Sequence, residues 1–290
     1  MRKQKRHLIL PLLIMFGLLL QGCMNEAVLI DPETGLDDPA LIVAEEPEGD
    51  ATLSAGAVPV LLYHALKPRS EYPQNTNGAV IAVEEFRDQM YWLKEQGYVT
   101  PALGDFLSWV KGEGGLPPKS ILLTFDDGYR SVATYAWPIL RECGFTAVIF
   151  LIGALVDDAT YLAWEDIWEM QRDGIEFQNH TYNGHLGTSS APEFTTWTRE
   201  QFAADLMQLE QTFAENNLGK PMAYAAPFGA TADYTLEVLQ ELGYEMAFTT
   251  RFGAVFPGDN PFSLKRITVW PGWTPEQLAR QVDRALATER

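Results

Sequence analysis

The chain has 290 residues, and its 39 acidic side chains outnumber 21 basic ones, which gives a formal net charge of −18 at pH 7. Such an acidic balance argues against nucleic acid as a binding partner. Two cysteines are too few for a disulfide framework, and the length allows one sizeable folded domain with additional segments.

The N-terminus has the pattern of an export signal. A basic stretch at 2–6 precedes 13 apolar residues at 8–20, a run too short and too early for a spanning helix. The following Leu-Gln-Gly-Cys resembles the lipobox of bacterial lipoproteins, which implies cleavage after Gly22 and acylation of Cys23. An ordinary secretory signal is the alternative. We therefore expect residues 1–22 to be a signal peptide and Cys23 to anchor the chain, outside the cytoplasm, to a bacterial cell membrane.

Residues 23–57 have the composition of a disordered tether. Nine acidic residues, three prolines and no basic residue lie between positions 24 and 52, and such a segment cannot bury enough apolar surface to order itself. Two short apolar patches, 27–30 and 40–44, leave open that parts of it pack on the domain. Loss of 1–22 would take the formal charge from −18 to −22, because that segment carries four basic and no acidic side chains.

Residues 58–290 are predicted to form one α/β domain. Short apolar runs alternate with amphipathic stretches, mostly in a β-then-α order, which favours a distorted barrel of about seven parallel strands. The predicted strands are 60–63, 121–125, 147–152, 175–178, 222–226, 245–249 and 265–269.

Three amphipathic stretches predict helices with recognisable ends. The first runs from Val83 to Gln96 and stops at Gly97. The second begins after Thr198 and the third after Thr274, and each has a Gln three positions beyond the threonine. This spacing is typical of a capping box, in which the two side chains bond each other's backbone N–H groups.

Polar side chains follow four of the predicted strands. His64 follows the first strand, Asp126 and Asp127 follow the second, His180 follows the fourth, and Pro227 follows the fifth. Because the carboxyl ends of parallel strands share one face of a barrel, where active sites lie, these side chains should meet at one rim.

The acidic pair and the histidines suggest a metal site. One aspartate together with His180 and His185 is a ligand set for a divalent cation that leaves a position open for water. The second aspartate could take a proton from that water, and the turn-forming residues 182–184 would bring the histidines together. The alternatives are an ordinary Asp-Asp-Gly turn and a histidine pair that caps an element or lies in the core.

Three motifs resemble those of the polysaccharide deacetylases, the NodB-homology or carbohydrate esterase family 4 domains. They are Thr-Phe-Asp-Asp-Gly ending at Gly128, the His-Thr…His segment from His180 to His185, and Ala-Pro-Phe-Gly ending at Gly229. The resemblance covers about 58–285, and the histidine spacing is similar to that of the biofilm poly-N-acetylglucosamine deacetylase branch. It implies the NodB-homology barrel fold.

The resemblance implies roles for the residues of the first two motifs. Asp127, His180 and His185 would hold the metal, usually zinc, with cobalt or nickel also suitable. Asp126 would be the general base that takes a proton from the attacking water. Acetate would then leave an N-acetylated sugar as its amine.

The third motif and the residue after Gly128 are expected to contact the substrate. By resemblance, the backbone N–H of Phe228 would stabilise the oxyanion, with Pro227 in the same turn. Phe228 and Tyr129 would touch the sugar or the acetyl group, although aromatic residues at strand ends are more often part of the core.

The sequence departs from the family pattern at two catalytic positions. Ala225 stands where the family often has an Arg that pairs with the base, and Arg266 is the candidate to replace it. The alternative is an Arg on a solvated strand end. No His follows His185, so His64 is the candidate general acid, and a buried histidine that shapes the barrel mouth is the alternative.

The family's fourth motif, rich in Asp and Trp, is not clear in this chain. Trp270, Trp273 and Asp259 are candidates to line a sugar groove. Each is equally compatible with packing or with an ordinary loop.

Together these features predict a metal-dependent N-deacetylase of N-acetylglucosamine residues in an extracellular or cell-wall polysaccharide. Another metal hydrolase on the same fold, such as an O-acetyl esterase or amide hydrolase, is one alternative. A non-catalytic glycan-binding lipoprotein with a metal is the other, and the absence of Arg at Ala225 would favour it. We expect a monomer whose partners are the polysaccharide and, through Cys23, the membrane.

Overall fold

The computed structural model describes residues 54–72, 80–185, 187–188 and 191–288. The predicted signal peptide, Cys23 and the tether up to residue 53 lie outside the described residues. Within the described ranges, none of the helices has the length and apolar character that a membrane span requires.

The described residues contain twelve strands and seven α-helices. The strands are β1 (Val58–Tyr63), β2 (Ala65–Lys67), β3 (Val80–Ala82), β4 (Leu122–Phe125), β5 (Val148–Leu151), β6 (Glu176–Asn179), β7 (Gly187–Thr188), β8 (Ala191–Pro192), β9 (Ala223–Ala225), β10 (Met246–Phe248), β11 (Ala254–Val255) and β12 (Ile267–Thr268). The helices are α1 (Val83–Glu95), α2 (Leu103–Val110), α3 (Trp137–Cys143), α4 (Trp164–Arg172), α5 (Arg199–Glu215), α6 (Thr235–Glu241) and α7 (Pro275–Leu286). Each predicted strand and helix has a counterpart among them.

Seven of these strands form a parallel sheet that curls into a distorted barrel. Across the sheet they are β10, β9, β6, β5, β4, β1 and β12, and β11 pairs antiparallel with the start of β1. The last segment links the two ends, because Leu264 pairs with Phe248 of β10 while Ile267 pairs with Leu61 of β1. The predicted fold class is confirmed.

Alternate strand residues point into the barrel or out toward the helices. Phe150 of β5 contacts Phe248 of β10, three strands away in the sheet, with 5.5 Å between ring centroids. Leu122 lies in the same interior cluster, whereas its neighbour Leu123 packs in the outer core beneath the helices. Asp126 continues the phase of Leu122, so its side chain points into the barrel mouth.

The folded part starts earlier than the predicted boundary at residue 58. Ala55 is buried, its N–H donates to the carbonyl of Leu116 at 2.9 Å, and its own carbonyl accepts from Trp109 Nε1 at 3.0 Å. Ser54 Oγ accepts from the Leu116 N–H at 3.2 Å. The prediction that 54–57 belong to the tether was therefore wrong. Local composition does not show that Trp109 and Leu116, far along the chain, supply hydrogen-bond partners for this segment.

Two of the helices begin with the predicted capping boxes. Thr198 Oγ1 accepts from the N–H of Gln201, whose side chain accepts from the N–H of Thr198. Thr274 and Gln277 form the same reciprocal pair at the start of α7. These bonds satisfy N–H groups that an α-helix leaves without internal partners.

Candidate active site

A buried ion pair lies inside the barrel mouth, at the carboxyl end of β4. Both oxygens of Asp126 accept hydrogen bonds from Arg266, from Nη1 and Nη2, each at 2.8 Å. Arg266 Nε donates to the carbonyl of Thr249 at 2.9 Å, and the guanidinium lies 5.7 Å from the centre of the Phe150 ring. Arg266 is fully buried, so it is not a surface arginine.

The ion pair keeps Asp126 ionised. Burial by itself would raise the pKa of Asp126, but Arg266, together with His180 and His64, outweighs burial and holds the pKa below its usual range. Arg266 comes from the segment that closes the barrel, two strands from Ala225, because Phe248 of β10 pairs with both Ala225 and Leu264. Arg266 therefore pairs with Asp126 from a different segment than the third motif, where the resemblance places the pairing Arg.

A second cluster lies beside the ion pair and contains Asp127, His180 and His185. The Nε2 atoms of the two histidines lie 3.4 Å and 3.1 Å from Asp127 Oδ1. One ligand atom from each of the three residues lies within 4.8 Å of the others. His180 is buried, whereas the His185 side chain keeps 24% of its surface exposed, so the cluster opens toward solvent on one side.

The hydrogen bonding of this cluster fits a divalent cation. His180 Nδ1 lies 2.8 Å from the carbonyl of Ala225; donating to this oxygen requires a proton on Nδ1, which leaves Nε2 of a neutral ring as a lone pair. That lone pair faces Asp127 Oδ1, a buried oxygen with no hydrogen-bond partner. Two acceptors that face each other are stabilised by a cation between them, and the Asp-His-His set suits zinc.

Without a cation, protons on the histidines would take its place beside Asp127, and the pKa values of the cluster reflect this. Burial alone would raise the pKa of Asp127, but its contacts with His180 and His185 outweigh burial and hold that pKa well below its usual range. Burial alone would lower the pKa of His180, yet the carboxylates of Asp126 and Asp127 raise it above its ordinary value.

The turn between the histidines is held by residues that sequence patterns did not single out. The Asp205 carboxylate, from α5, accepts hydrogen bonds from the N–H groups of Tyr182 at 2.7 Å and Asn183 at 2.8 Å. Asn179 Oδ1 accepts from the N–H of Thr181 at 2.6 Å. Burial raises the pKa of Asp205 despite these backbone bonds. Asp205 lies far from the histidine motif in sequence, which explains why local patterns did not predict its role.

Backbone strain is concentrated at this site. Among the described residues, five that are not glycine have positive φ, and three of them are Asp127 (φ 73°), Thr181 (φ 74°) and Phe228 (φ 57°). Such conformations are costly for residues with a side chain and persist where packing and function require them. The turn at Asp127 breaks the strand alternation, so both aspartates reach the same mouth.

His64 directly follows β1 and lies next to Asp126 in register. β1 and β4 pair in parallel with Tyr63 opposite Phe125, and the N–H of Asp126 donates to the Tyr63 carbonyl at 3.0 Å. Burial lowers the pKa of His64, while the nearby carboxylates of Asp127 and Asp126 act in the opposite direction. The structure therefore brings His64 to the predicted rim.

The third motif forms a tight turn beside the metal-ligand candidates. Pro227 is buried, whereas Phe228 is 37% exposed, and the Phe228 ring lies 4.6 Å from the His185 ring between centroids. Gly229 has φ 71°, and a Cβ at this position would collide with Thr250. Phe228 thus presents an aromatic face to the open side of the cluster.

A pair of tyrosines covers another side of the site. Tyr129 stacks on Tyr161 with 5.0 Å between ring centroids, and the two residues form an isolated antiparallel bridge. Burial, together with Asp127 and Tyr161, raises the pKa of Tyr129 far above its ordinary value. Tyr161 had no motif signal, because it comes from the loop after β5 and reaches the site only through this pairing.

The candidates for the family's fourth motif separate in space. Trp270 and Trp273 follow β12, on the same rim as the site. Asp259 lies beyond β11, whose residue Val255 pairs with Val58 at the start of β1, and its carboxylate accepts from the N–H of Phe256 at 2.9 Å. Asp259 is therefore a turn residue at the opposite end of the barrel, and its expected place in a sugar groove was wrong.

Comparisons with known proteins agree with this fold. Residues 113–247 match the family model described as polysaccharide deacetylase, and this match includes the first three motifs but neither His64 nor Arg266. The chain therefore has a polysaccharide deacetylase domain and belongs with the hydrolases that act on amide bonds other than peptide bonds.

Individual relatives resemble the chain at modest identity. The Bacillus subtilis (strain 168) protein YxkH, whose name places it among polysaccharide deacetylases, is 26% identical over 91% of this chain and 96% of its own length. Poly-beta-1,6-N-acetyl-D-glucosamine N-deacetylase of Escherichia coli (strain K12) is 28% identical over 60% of this chain, which spans 31% of that protein. The structure of Streptococcus pyogenes deacetylase PplD in complex with acetate superposes with a TM-score of 0.71, at 25% identity, covering 79% of this chain and 99% of that one.

Proposed function

We propose that this protein is a metal-dependent N-deacetylase that removes acetyl groups from N-acetylglucosamine residues of a polysaccharide outside the cytoplasm. The observation that carries the proposal is the buried, unpartnered Oδ1 of Asp127 between two histidine nitrogens. A cation there would lie beside Asp126, which Arg266 holds ionised. Pure binding would not need a second carboxylate held in this way.

The reaction divides its tasks among named side chains. Asp127, His180 and His185 would hold the divalent cation, zinc in the first instance, with cobalt or nickel as alternatives. When bound, such a cation supplies Lewis acidity, which makes water a better nucleophile near neutral pH and polarises the acetamide carbonyl. Asp126 accepts a proton from the attacking water at a carboxylate oxygen, while Arg266 fixes its orientation.

The remaining steps use the other side of the mouth. As a carbon–oxygen bond forms, the backbone N–H of Phe228 would donate to the developing oxyanion. His64 would then donate a proton to the amide nitrogen as the carbon–nitrogen bond breaks, so that acetate and a free amino sugar are released. Pro227 would fix the turn that carries Phe228, and Tyr129 would contact the sugar or its acetyl group.

The proposed substrate and the proposed location are supported by different observations. The name of the Escherichia coli relative supports a poly-N-acetylglucosamine substrate, although this chain spans only 31% of that protein. The lipobox-like sequence that ends at Cys23 supports an acylated chain on the outer side of a bacterial membrane, close to wall or biofilm glycan. The acidic balance of the chain is compatible with binding an amine product.

The non-catalytic alternative loses its main argument in this arrangement. It depended on Ala225 standing where the family often has Arg, and Arg266 supplies a two-pronged pair to Asp126 instead. An O-acetyl esterase would use the same ligands and the same base, so the chemistry of the acetyl linkage, rather than the geometry, separates it from an N-deacetylase.

The proposal is tested by acetate release from the full chain purified in detergent. N-acetylglucosamine oligomers with β-1,6 and β-1,4 linkages and an O-acetylated glycan would be compared, with zinc, cobalt or nickel and with chelator. We expect chelator-sensitive release from the N-acetylated oligomers that is lost in Asp126→Asn. The matched control is Asp88→Asn, the same chemical change at an exposed position on α1.

Two results would contradict the proposal. Release only from the O-acetylated glycan would make the protein an esterase. Stoichiometric metal binding without acetate release from any glycan would favour the non-catalytic, glycan-binding alternative.

A further inference from the structure

His64 points into the barrel mouth from the end of β1. Tyr63 packs outward against Phe86 and Phe125, so the next side chain, His64, faces the opposite way. Among the residues that the structure describes, none hydrogen-bonds the His64 imidazole. A general acid must direct one ring nitrogen at the leaving group. The direction of this ring is therefore set by packing and by the backbone that carries it.

The backbone before His64 is fixed to the loop that carries the candidate base. The Tyr63 carbonyl accepts from the N–H of Asp126 at 3.0 Å, and the Tyr63 hydroxyl donates to Gln89 Oε1 at 2.9 Å. Tyr63 is buried, so both bonds are shielded from competing water. This side of the histidine is thus held in register with the first motif.

The backbone after His64 is tied to the same loop by a side chain. The N–H of Leu66 donates to Ser131 Oγ at 3.0 Å, and Ser131 lies four positions beyond Asp127. Leu66 belongs to β2, which is paired with β3 in a separate two-stranded sheet. Strand pairing in the barrel therefore does not hold this segment, and the Ser131 hydroxyl links it to the first motif.

The segment that presents Ser131 has an uncommon local geometry and is itself anchored. Ser131 directly precedes a π-helical turn, Val132–Ala136, and such turns are rare and occur frequently at functional sites. The N–H of Arg130 donates to the Thr160 carbonyl at 2.9 Å, and Arg130 Nε donates to the Tyr161 carbonyl at 3.1 Å. The hydroxyl that accepts from Leu66 is thus offered by a fixed backbone.

We propose that Ser131 is a positioning residue for His64: its hydroxyl fixes the backbone after the histidine, so that the imidazole is held toward the amide nitrogen of the substrate. The inference deepens the proposed function and rests on it, because it takes His64 as the general acid. Without the hydroxyl, the N–H of the buried Leu66 loses its acceptor. The segment then shifts, and a small displacement of a proton donor costs much of its contribution to the rate.

The test compares two acetyl donors that differ in their need for an acid. An N-acetylglucosamine pentamer releases an amine, which must be protonated as the carbon–nitrogen bond breaks, whereas 4-nitrophenyl acetate releases a stable phenolate. In the full chain with zinc, Ser131→Ala should lower kcat/KM for the pentamer at least about tenfold and leave that for the ester within about twofold. Ser131→Thr keeps a hydroxyl and should recover most of the loss. The matched control is Ser108→Ala on α2, which removes a hydroxyl that donates to the Gly104 carbonyl of its own helix and should change neither value.

A double-mutant cycle separates positioning from a general loss of structure. In a His64→Ala background, Ser131→Ala should cause no further loss of the residual pentamer hydrolysis, because Ser131 acts through His64. An unchanged pentamer value in Ser131→Ala, equal losses for pentamer and ester, or a full additional loss in the His64→Ala background would overturn the inference and leave the proposed deacetylase function in place. Ester hydrolysis by the wild type without acetate release from any N-acetylated glycan would overturn both.

Discussion

Asp126 and Asp127 are neighbours in sequence and are buried to nearly the same degree, 3% and 5% exposed, yet their surroundings differ. Asp126 has a cation supplied by the protein, since Arg266 donates to both of its oxygens. Asp127 faces two histidine nitrogens, and its Oδ1 has no hydrogen-bond partner. The difference teaches that partners, more than burial, decide what a carboxylate in this mouth can do: Asp126 already has its cation in Arg266, whereas Asp127 would be completed by a cation from solution.

The largest effect is expected from removing that cation. Chelation should lower acetate release by at least about a thousandfold, because a Lewis acid contributes several kcal/mol to such a reaction. Zinc or cobalt should restore release in a steady-state assay. Calcium should not, since it prefers sites built from many oxygen ligands. Full activity in chelator would mean that the site works without a cation at Asp127, so the proposed difference between the two aspartates would be wrong.

The second prediction compares how much the surroundings of Asp126 and of Asp127 contribute to the free energy of unfolding. In chelator, Arg266→Met should cost about 3–5 kcal/mol of unfolding free energy, because it leaves a buried, unpaired Asp126. Asp127→Asn should cost less than this, because the change keeps the shape of the side chain and its amide can still donate to the histidine nitrogens that contact Asp127. Urea unfolding followed by circular dichroism measures both.

A double variant keeps this stability prediction falsifiable. Asp126→Leu with Arg266→Met removes both charges, so it should recover most of the stability while acetate release remains absent. Equal losses in Arg266→Met and Asp127→Asn would mean that the ion pair is no more complete than the histidine cluster.

A third prediction concerns the support of the histidine turn. Asp205→Ala removes the acceptor for two backbone N–H groups between His180 and His185, so metal affinity should fall by about 10- to 100-fold. Competition with a chromophoric chelator would give the Kd for zinc. An unchanged Kd, equal to that of the exposed Asp88→Asn control, would show that the turn is held without Asp205.

The smallest expected effect lies away from the mouth. Thr198→Ala removes the side-chain cap of α5 and should cost about 1 kcal/mol of unfolding free energy. It should leave kcat/KM and the zinc Kd unchanged, which separates a loss of stability from a loss at the site. A drop in zinc affinity would instead couple the start of α5 to the metal cluster.

Local patterns predicted most of the framework because the responsible interactions are local. The capping boxes at Thr198 and Thr274 need only residues three positions apart. Strand ends share a rim in any parallel barrel, so the side chains after β1, β4, β6 and β9 could be placed together without knowledge of the packing. Short apolar runs predicted the seven barrel strands, because the burial of a strand is visible in its own residues.

The features that were missed depend on long-range contacts. Asp205 reaches the histidine turn from α5, and Tyr161 reaches Tyr129 from a separate loop; neither has a local signature. The burial of Ala55 requires Trp109 and Leu116, which lie more than fifty residues away. Arg266 could be named as a candidate, but its orientation toward Asp126 is fixed only when the last segment closes the barrel.

The central claim, that Asp127 with its two histidines binds a divalent cation, is tested most directly by zinc stoichiometry. Zinc would be measured by elemental analysis after equilibrium dialysis of the full chain, alongside Asp127→Ala and the control Asp88→Asn. The account predicts one zinc per chain in the wild type and the control, and none in Asp127→Ala. Equal zinc content in the wild type and Asp127→Ala, or no zinc in the wild type, would contradict it.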